Sequence, residues 1–154
     1  MKCKYCSQEI VADAPYCPWC GKRIRPLCAE EALFLAKELR RSPSVDFTRA
    51  RAIYIVWRDN LYMPQYANIE EFGINELHLK RAMTQNYKVI GRDYVDDSGN
   101  LLFTGNGNWS LGQVNELKAL SLKQINQLIS ENMIHSEMQC NEIRAAIRAY
   151  FEQN

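Results

Sequence analysis

Cys3-Lys4-Tyr5-Cys6, ten further residues, and then Cys17-Pro18-Trp19-Cys20-Gly21 form the N-terminal stretch from which the rest of the chain is read. Two Cys-x-x-Cys pairs offer four thiolates, the soft donor set that a tetrahedral structural zinc takes. Each pair is short enough for both sulfurs to reach one ion. Between the pairs, Glu9-Ile10-Val11 and then Asp13-Ala14-Pro15 make a short apolar run and a turn, so the chain can leave the first knuckle and fold back to the second. Gly21 suits a tight knuckle that needs a positive φ. Four protein ligands fill the shell and leave no place for water or substrate. One structural zinc ion on Cys3, Cys6, Cys17 and Cys20 is expected.

The stretch resembles the short zinc-ribbon family of bacterial and phage proteins. There an N-terminal Cys-x-x-Cys is followed by Cys-Pro-x-Cys-Gly and a Lys/Arg-rich tail. Here Cys17-Pro18-Trp19-Cys20-Gly21-Lys22-Arg23 fits that pattern position by position, with Ser7 standing where the family often has Gly. The resemblance covers roughly the first 25 residues, and it implies a metal and a small fold rather than an activity.

The 154 residues suffice for that appendage, 1–27, and one ordinary domain, 28–154, large enough to bury a core unaided. Six cysteines, four of them in knuckles, and no basic-then-apolar N-terminus point to reduced thiols and a cytoplasmic protein. No run of 18 apolar residues suggests a membrane partner. Lys and Arg number 19 against 18 acids, a formal +1. Four thiolates against a divalent ion would take that to about −1. Proteins that live on non-specific phosphate contacts carry a basic surplus, so nucleic acid could bind only through a local patch. By simple counting the N-terminal tip offers one, with Lys2, Lys4, Lys22, Arg23 and Arg25 against Glu9 and Asp13.

Along the remainder, Ala29 to Arg41 reads as a helix ended by Pro43, and a second is expected from about Asp46 to Asn60. On the second, Arg49, Arg51 and Arg58 fall off the apolar stripe and read as a solvated face. Tyr62 to Tyr66 is a packing loop. Asn68 can cap a short helix that Gly73 breaks, and another would run from about Asn75 to Asn86. The pair has the outline of a helix-turn-helix, in which His78, Lys80, Arg81, Gln85 and Asn86 could meet bases or phosphates. Bulky Ile69 at the close crossing fits that outline poorly.

Tyr87 to Val95, a turn at Asp96-Asp97-Ser98-Gly99-Asn100, and Leu101 to Thr104 carry a β-hairpin signature near 87–104. It would be either a flap over the core or a wing with Lys88 and Arg92 at the nucleic-acid backbone. The turn is no calcium loop, because Tyr94 and Gly105 fall where carboxylates are required. Gly105-Asn106-Gly107-Asn108 reads as a linker. Ser110 and Ser121 can cap two helices and Ser136 opens a last one, making a compact bundle. Cys28 and Cys140 read as small buried apolar residues.

The expected fold is thus a small N-terminal zinc ribbon followed by a mainly α-helical (α+β) domain with one β-hairpin. His78 and His135 sit in no catalytic pattern, and neither an enzyme nor a small-molecule substrate is expected. The expected function is that of a zinc-binding interaction protein that docks on a partner protein and regulates or inhibits it, the partner being a nucleic-acid-handling machine, as with anti-CRISPR-type inhibitors. The alternative is a DNA-binding regulator using residues 68–104.

Overall fold

A computed structural model describes residues 1–38, 43–103 and 109–153. They form seven helices: α1 (Ala29–Glu38), α2 (Pro43–Arg58), α3 (Ile69–Glu76), α4 (Arg81–Asp93), α5 (Leu111–Glu116), α6 (Leu122–Ser130) and α7 (Cys140–Gln153). The four cysteines cluster ahead of α1. Helix α2 is the centre. Its Ala50, Ala52, Ile53 and Val56 are wholly buried, and α1 and α4 pack on it most extensively. Pro43 opens α2 rather than closing α1, a first-turn place where its missing N–H costs nothing. The C-terminal end expected for α1, through Arg41, and the linker expected at Gly105–Asn108 lie outside the described residues.

The hairpin expected at 87–104 is not there. Tyr87 to Asp93 belongs to α4, and of the two strands only an isolated Val95–Leu101 bridge remains, around a turn in which the Asp96 amide donates to Asn100 O at 2.8 Å. The reason is periodicity. Tyr87, Ile90, Gly91, Tyr94 and Val95 are the buried positions, spaced for one helix face, and packing against α2 overrides the strand preference of the aromatic and β-branched residues.

Gly73, expected to break a helix, lies inside α3. A Cβ there would fall 2.1 Å from Thr84 Oγ1, so the residue allows close approach to α4 instead of punctuating the chain. A Cβ on Gly91 would fall 2.1 Å from Ala50 O, so the glycine lets α4 approach the backbone of α2 closely.

Two arginines expected at a solvated surface are buried. Arg49 donates from Nε to Ala36 O at 3.2 Å and lies 5.6 Å from the Tyr87 ring. Arg51 donates from Nη1 to Gly91 O at 3.0 Å and Val95 O at 3.3 Å, and from Nη2 to Asp97 Oδ1 at 2.6 Å. It thereby caps the carbonyl end of α4, where a cation suits the helix dipole, and ties the following turn to α2.

The C-terminal helices attach through aromatics. Phe103 meets Trp109 edge to face at 5.5 Å, and the Tyr94 hydroxyl, whose pKa burial pushes up to about 12, donates to Leu120 O at 2.7 Å. Ser110 and Ser121 begin α5 and α6, each with a reciprocal glutamine three residues on. Helix α7 starts at Cys140, not Ser136. Cys140 is half-buried and Cys28 exposed, so neither is the enclosed residue its composition suggested; Cys28 sits against Glu31 at the first turn of α1.

Candidate functional site

The N-terminal tip is built twice from one pattern. Residues 1–10 and 15–24 repeat with an offset of 14. Ile10 N donates to Met1 O and Ile24 N to Pro15 O; Cys3 N donates to Gln8 O and Cys17 N to Lys22 O; Ser7 N donates to Cys3 O and Gly21 N to Cys17 O. Each unit closes with a single antiparallel bridge, Lys2–Glu9 and Tyr16–Arg23. Each places a left-handed residue after its second cysteine, Ser7 at φ 64° and Gly21 at φ 75°. The place that Gly21 fills without penalty therefore costs Ser7 something on the order of 1 kcal/mol.

This doubling brings the four sulfurs together. All lie within 4.8 Å of one another, with Cys3 Sγ to Cys20 Sγ at 3.8 Å and Cys6 Sγ to Cys17 Sγ at 3.6 Å. A tetrahedron with metal–sulfur bonds of about 2.3 Å has edges of about 3.8 Å, so the spacing fits one ion. Backbone amides already point at the sulfurs: Tyr5 N lies 3.4 Å from Cys3 Sγ and Trp19 N 3.4 Å from Cys17 Sγ. Such donors stabilise and orient metal-bound thiolates.

The electrostatics agree. Burial opposes the Cys3 thiolate, yet amides of Tyr5 and Cys6 and the neighbouring thiols bring its pKa down to about 7. At Cys6 the Gln8 amide favours the thiolate, but burial and the surrounding sulfurs outweigh it and push the pKa up to about 12. Burial raises Cys20 as well. Four thiolates at this separation repel one another, and a divalent cation relieves that repulsion. Cys3, Cys6, Cys17 and Cys20 can together hold one metal ion.

The tip is not loose. In the first knuckle the Tyr5 hydroxyl donates to Asp96 Oδ2 and accepts from Asn100 Nδ2 at 2.9 Å. Burial and the Asp96 carboxylate raise the Tyr5 pKa, keeping it a donor. Asn100 Nδ2 also donates to Arg23 O at 2.8 Å, Ser98 Oγ to Ile24 O at 3.0 Å, and Leu27 N to Asp97 O at 2.8 Å. Arg23 and Arg25 both reach Glu31 on α1; burial works against the Glu31 charge, but the Arg23 guanidinium holds its carboxyl below the usual range. The turn at 96–100 thus receives the tip on one side and Arg51 on the other.

None of these anchors was marked by a sequence motif. The partners lie 74 to 95 residues apart along the chain in the Tyr5, Ile24, Ser98 and Asn100 bonds. The second unit meets that turn through the Arg23 and Ile24 carbonyls, and its knuckle aromatic takes no part. Trp19 occupies the place of Tyr5, yet it is 68% exposed and its side chain donates from Nε1 to Glu9 O at 3.1 Å, within the tip.

The residues singled out for nucleic acid fall differently from expectation. Lys88 and Arg92, expected in a wing, lie on α4 itself. Arg81, Gln85, Lys88 and Arg92 recur at helical intervals and share one face, with Lys80 just before it. His78 does not join them; it sits in the α3–α4 turn at φ 56° and is exposed.

Comparison with known protein families, with curated proteins and with solved structures found no match for this chain. What the fold and the site define is a mainly helical protein bearing an N-terminal four-cysteine centre able to hold a metal ion. Among the described residues, no helix is long and apolar enough to cross a membrane.

Proposed function

We propose that the four cysteines hold one structural zinc ion in a ribbon-like tip, and that this tip docks the chain onto a partner protein that it regulates or blocks. All-sulfur tetrahedral ligation is the zinc structural set, and it leaves no open position for a reacting water, so the reading is non-enzymatic. The partner is taken to belong to a nucleic-acid-handling machine.

The carrying observation is the outward side of the tip. Trp19 is 68% and Tyr16 55% exposed, while Tyr5 of the equivalent knuckle is spent on the body of the molecule. Trp and Tyr are the side chains that most often anchor protein interfaces, and an exposed Trp on a metal-braced loop presents its area with little entropy left to lose.

The test is capture from a bacterial lysate by immobilised, zinc-loaded protein, beside a Trp19→Ala variant of unchanged zinc content and circular dichroism. A specific partner retained by the wild type and weakened at least 30-fold by Trp19→Ala, about 2 kcal/mol, supports the proposal. Equal retention by the variant, or no partner at micromolar concentration, contradicts it.

A further inference from the structure

The chain as a whole is nearly neutral, but its charge is not evenly spread. From Leu77 to Arg92 there is no carboxylate, while Lys80, Arg81, Lys88 and Arg92 fall within that span. In α4, Arg81, Gln85, Lys88 and Arg92 stand at successive spacings of four, three and four residues. They lie on one side of the helix along roughly 16 Å of its length.

Beside this row runs the adjoining edge of α2. Lys88 Nζ lies 4.6 Å from the Trp57 ring centroid, Trp57 lies 6.0 Å from Tyr54, and the Arg58 guanidinium lies 5.6 Å from Tyr54. Lys88 and Arg58 thus meet the aromatic edge of α2, and Lys80, Arg81 and Arg92 continue the row along α4, five cations in all. The paired carboxylates among them are Asp59, on Arg58, and Asp93, on Arg92. Arg51 and Asp97 neutralise each other at its end. Among the described residues, Lys80, Arg81 and Lys88 form no ion pair.

We propose that this face, independently of the Trp19 surface, binds the phosphate backbone of duplex nucleic acid without reading its sequence. Three observations choose that occupant. The charge is concentrated in a row rather than scattered, as complementarity to a line of phosphates requires. The rings of Tyr54 and Trp57 are already covered by Arg51, Arg58 and Lys88, so they are not open platforms for the base stacking that single strands rely on. And among the described side chains none of the exposed large apolar ones belongs to α2 or α4, so the face lacks the apolar centre of a protein interface and has the polar, positive make-up of a nucleic-acid one. The recognition is that of a local patch on a protein whose overall charge hides it.

The experiment is fluorescence anisotropy of a random 20-base-pair duplex with the zinc-loaded full chain at 50 and 200 mM salt. The comparisons are Arg81→Gln/Lys88→Gln and, as a control on another helix, Lys123→Gln. With three phosphate contacts, one for each unpaired cation, the affinity falls on the order of 40-fold between the two salt concentrations. The double variant binds more weakly and its log–log salt slope is shallower by about 2, while Lys123→Gln matches the wild type. Circular dichroism confirms that the variants fold, as expected for side chains at the surface. The proposal is overturned if the wild type gives no anisotropy change at tens of micromolar protein in 50 mM salt. It is also overturned if the double variant keeps the wild-type slope, or if a single strand or polyglutamate of equal charge binds as tightly as the duplex.

Discussion

The two knuckles of the tip share a backbone and differ in fate. Each has an aromatic residue third in its Cys-x-x-Cys loop, and in each that residue's amide points at the first sulfur. Tyr5 is turned inward, its hydroxyl held by Asp96 and Asn100 on a turn fixed by Arg51. Trp19 is turned outward and meets only its own tip. A metal knuckle fixes where an aromatic side chain starts, not what it is for. The polar reach of the tyrosine makes one ring an anchor; the second copy meets the same turn through the Arg23 and Ile24 carbonyls instead, and its ring is left outward as the proposed handle.

Removing the metal should abolish the comparison altogether, and this is the largest effect expected. On chelation, the amides of Ser7 and Gly21 should lose hydrogen-exchange protection together if, as proposed, the sulfurs of both units share one ion, whereas the buried amides of α2 and α4 should stay protected. Structural zinc contributes on the order of 10 kcal/mol to such small modules, which have too little core to fold without it. Loss of protection in one knuckle alone would mean that they are independent.

Next in size, Tyr5→Phe should cost about 1 kcal/mol in denaturant unfolding, since it removes a half-buried donor from Asp96 Oδ2 and an acceptor from Asn100 while keeping the ring. Trp19→Ala should cost under about 0.5 kcal/mol, its ring being mostly in water. Equal costs for the two would erase the distinction between anchor and handle.

The left-handed positions come last. Gly21→Ala should cost about 1 kcal/mol from backbone strain alone, because nothing lies within 4 Å of a Cβ there. Ser7→Gly should be neutral or stabilise by up to about 0.5 kcal/mol, the relief of a positive φ set against the greater entropy of glycine. Thermal unfolding of the two variants measures both, and a destabilising Ser7→Gly would mean that the serine side chain has a role beyond the turn.

Local features were legible in the sequence and long-range ones were not. The cysteine pairs, the caps at Asn68, Ser110 and Ser121, and the turn at 96–100 are written within a few residues of themselves, and all five appear in the structure. Tyr87 to Val95 was misread because a short apolar run carries strand and helix spacings at once; only its burial against α2 distinguishes them. Arg49 and Arg51 looked like surface because their acceptors are carbonyls of other helices, which leave no trace in composition. The cationic face of α4 was visible in part, as residues attributed to two different elements. The acid-free run from Leu77 to Arg92 is the signal that joins them.

The most direct measurement is the metal content of freshly purified, reduced protein, taken beside Cys17→Ser. One zinc per chain in the wild type and none held tightly by the variant is the expected result, because the serine removes one of four converging sulfurs. Zinc well below one per chain in the wild type, or full zinc retained after Cys17→Ser, would contradict a single shared ion as the element that organises both knuckles.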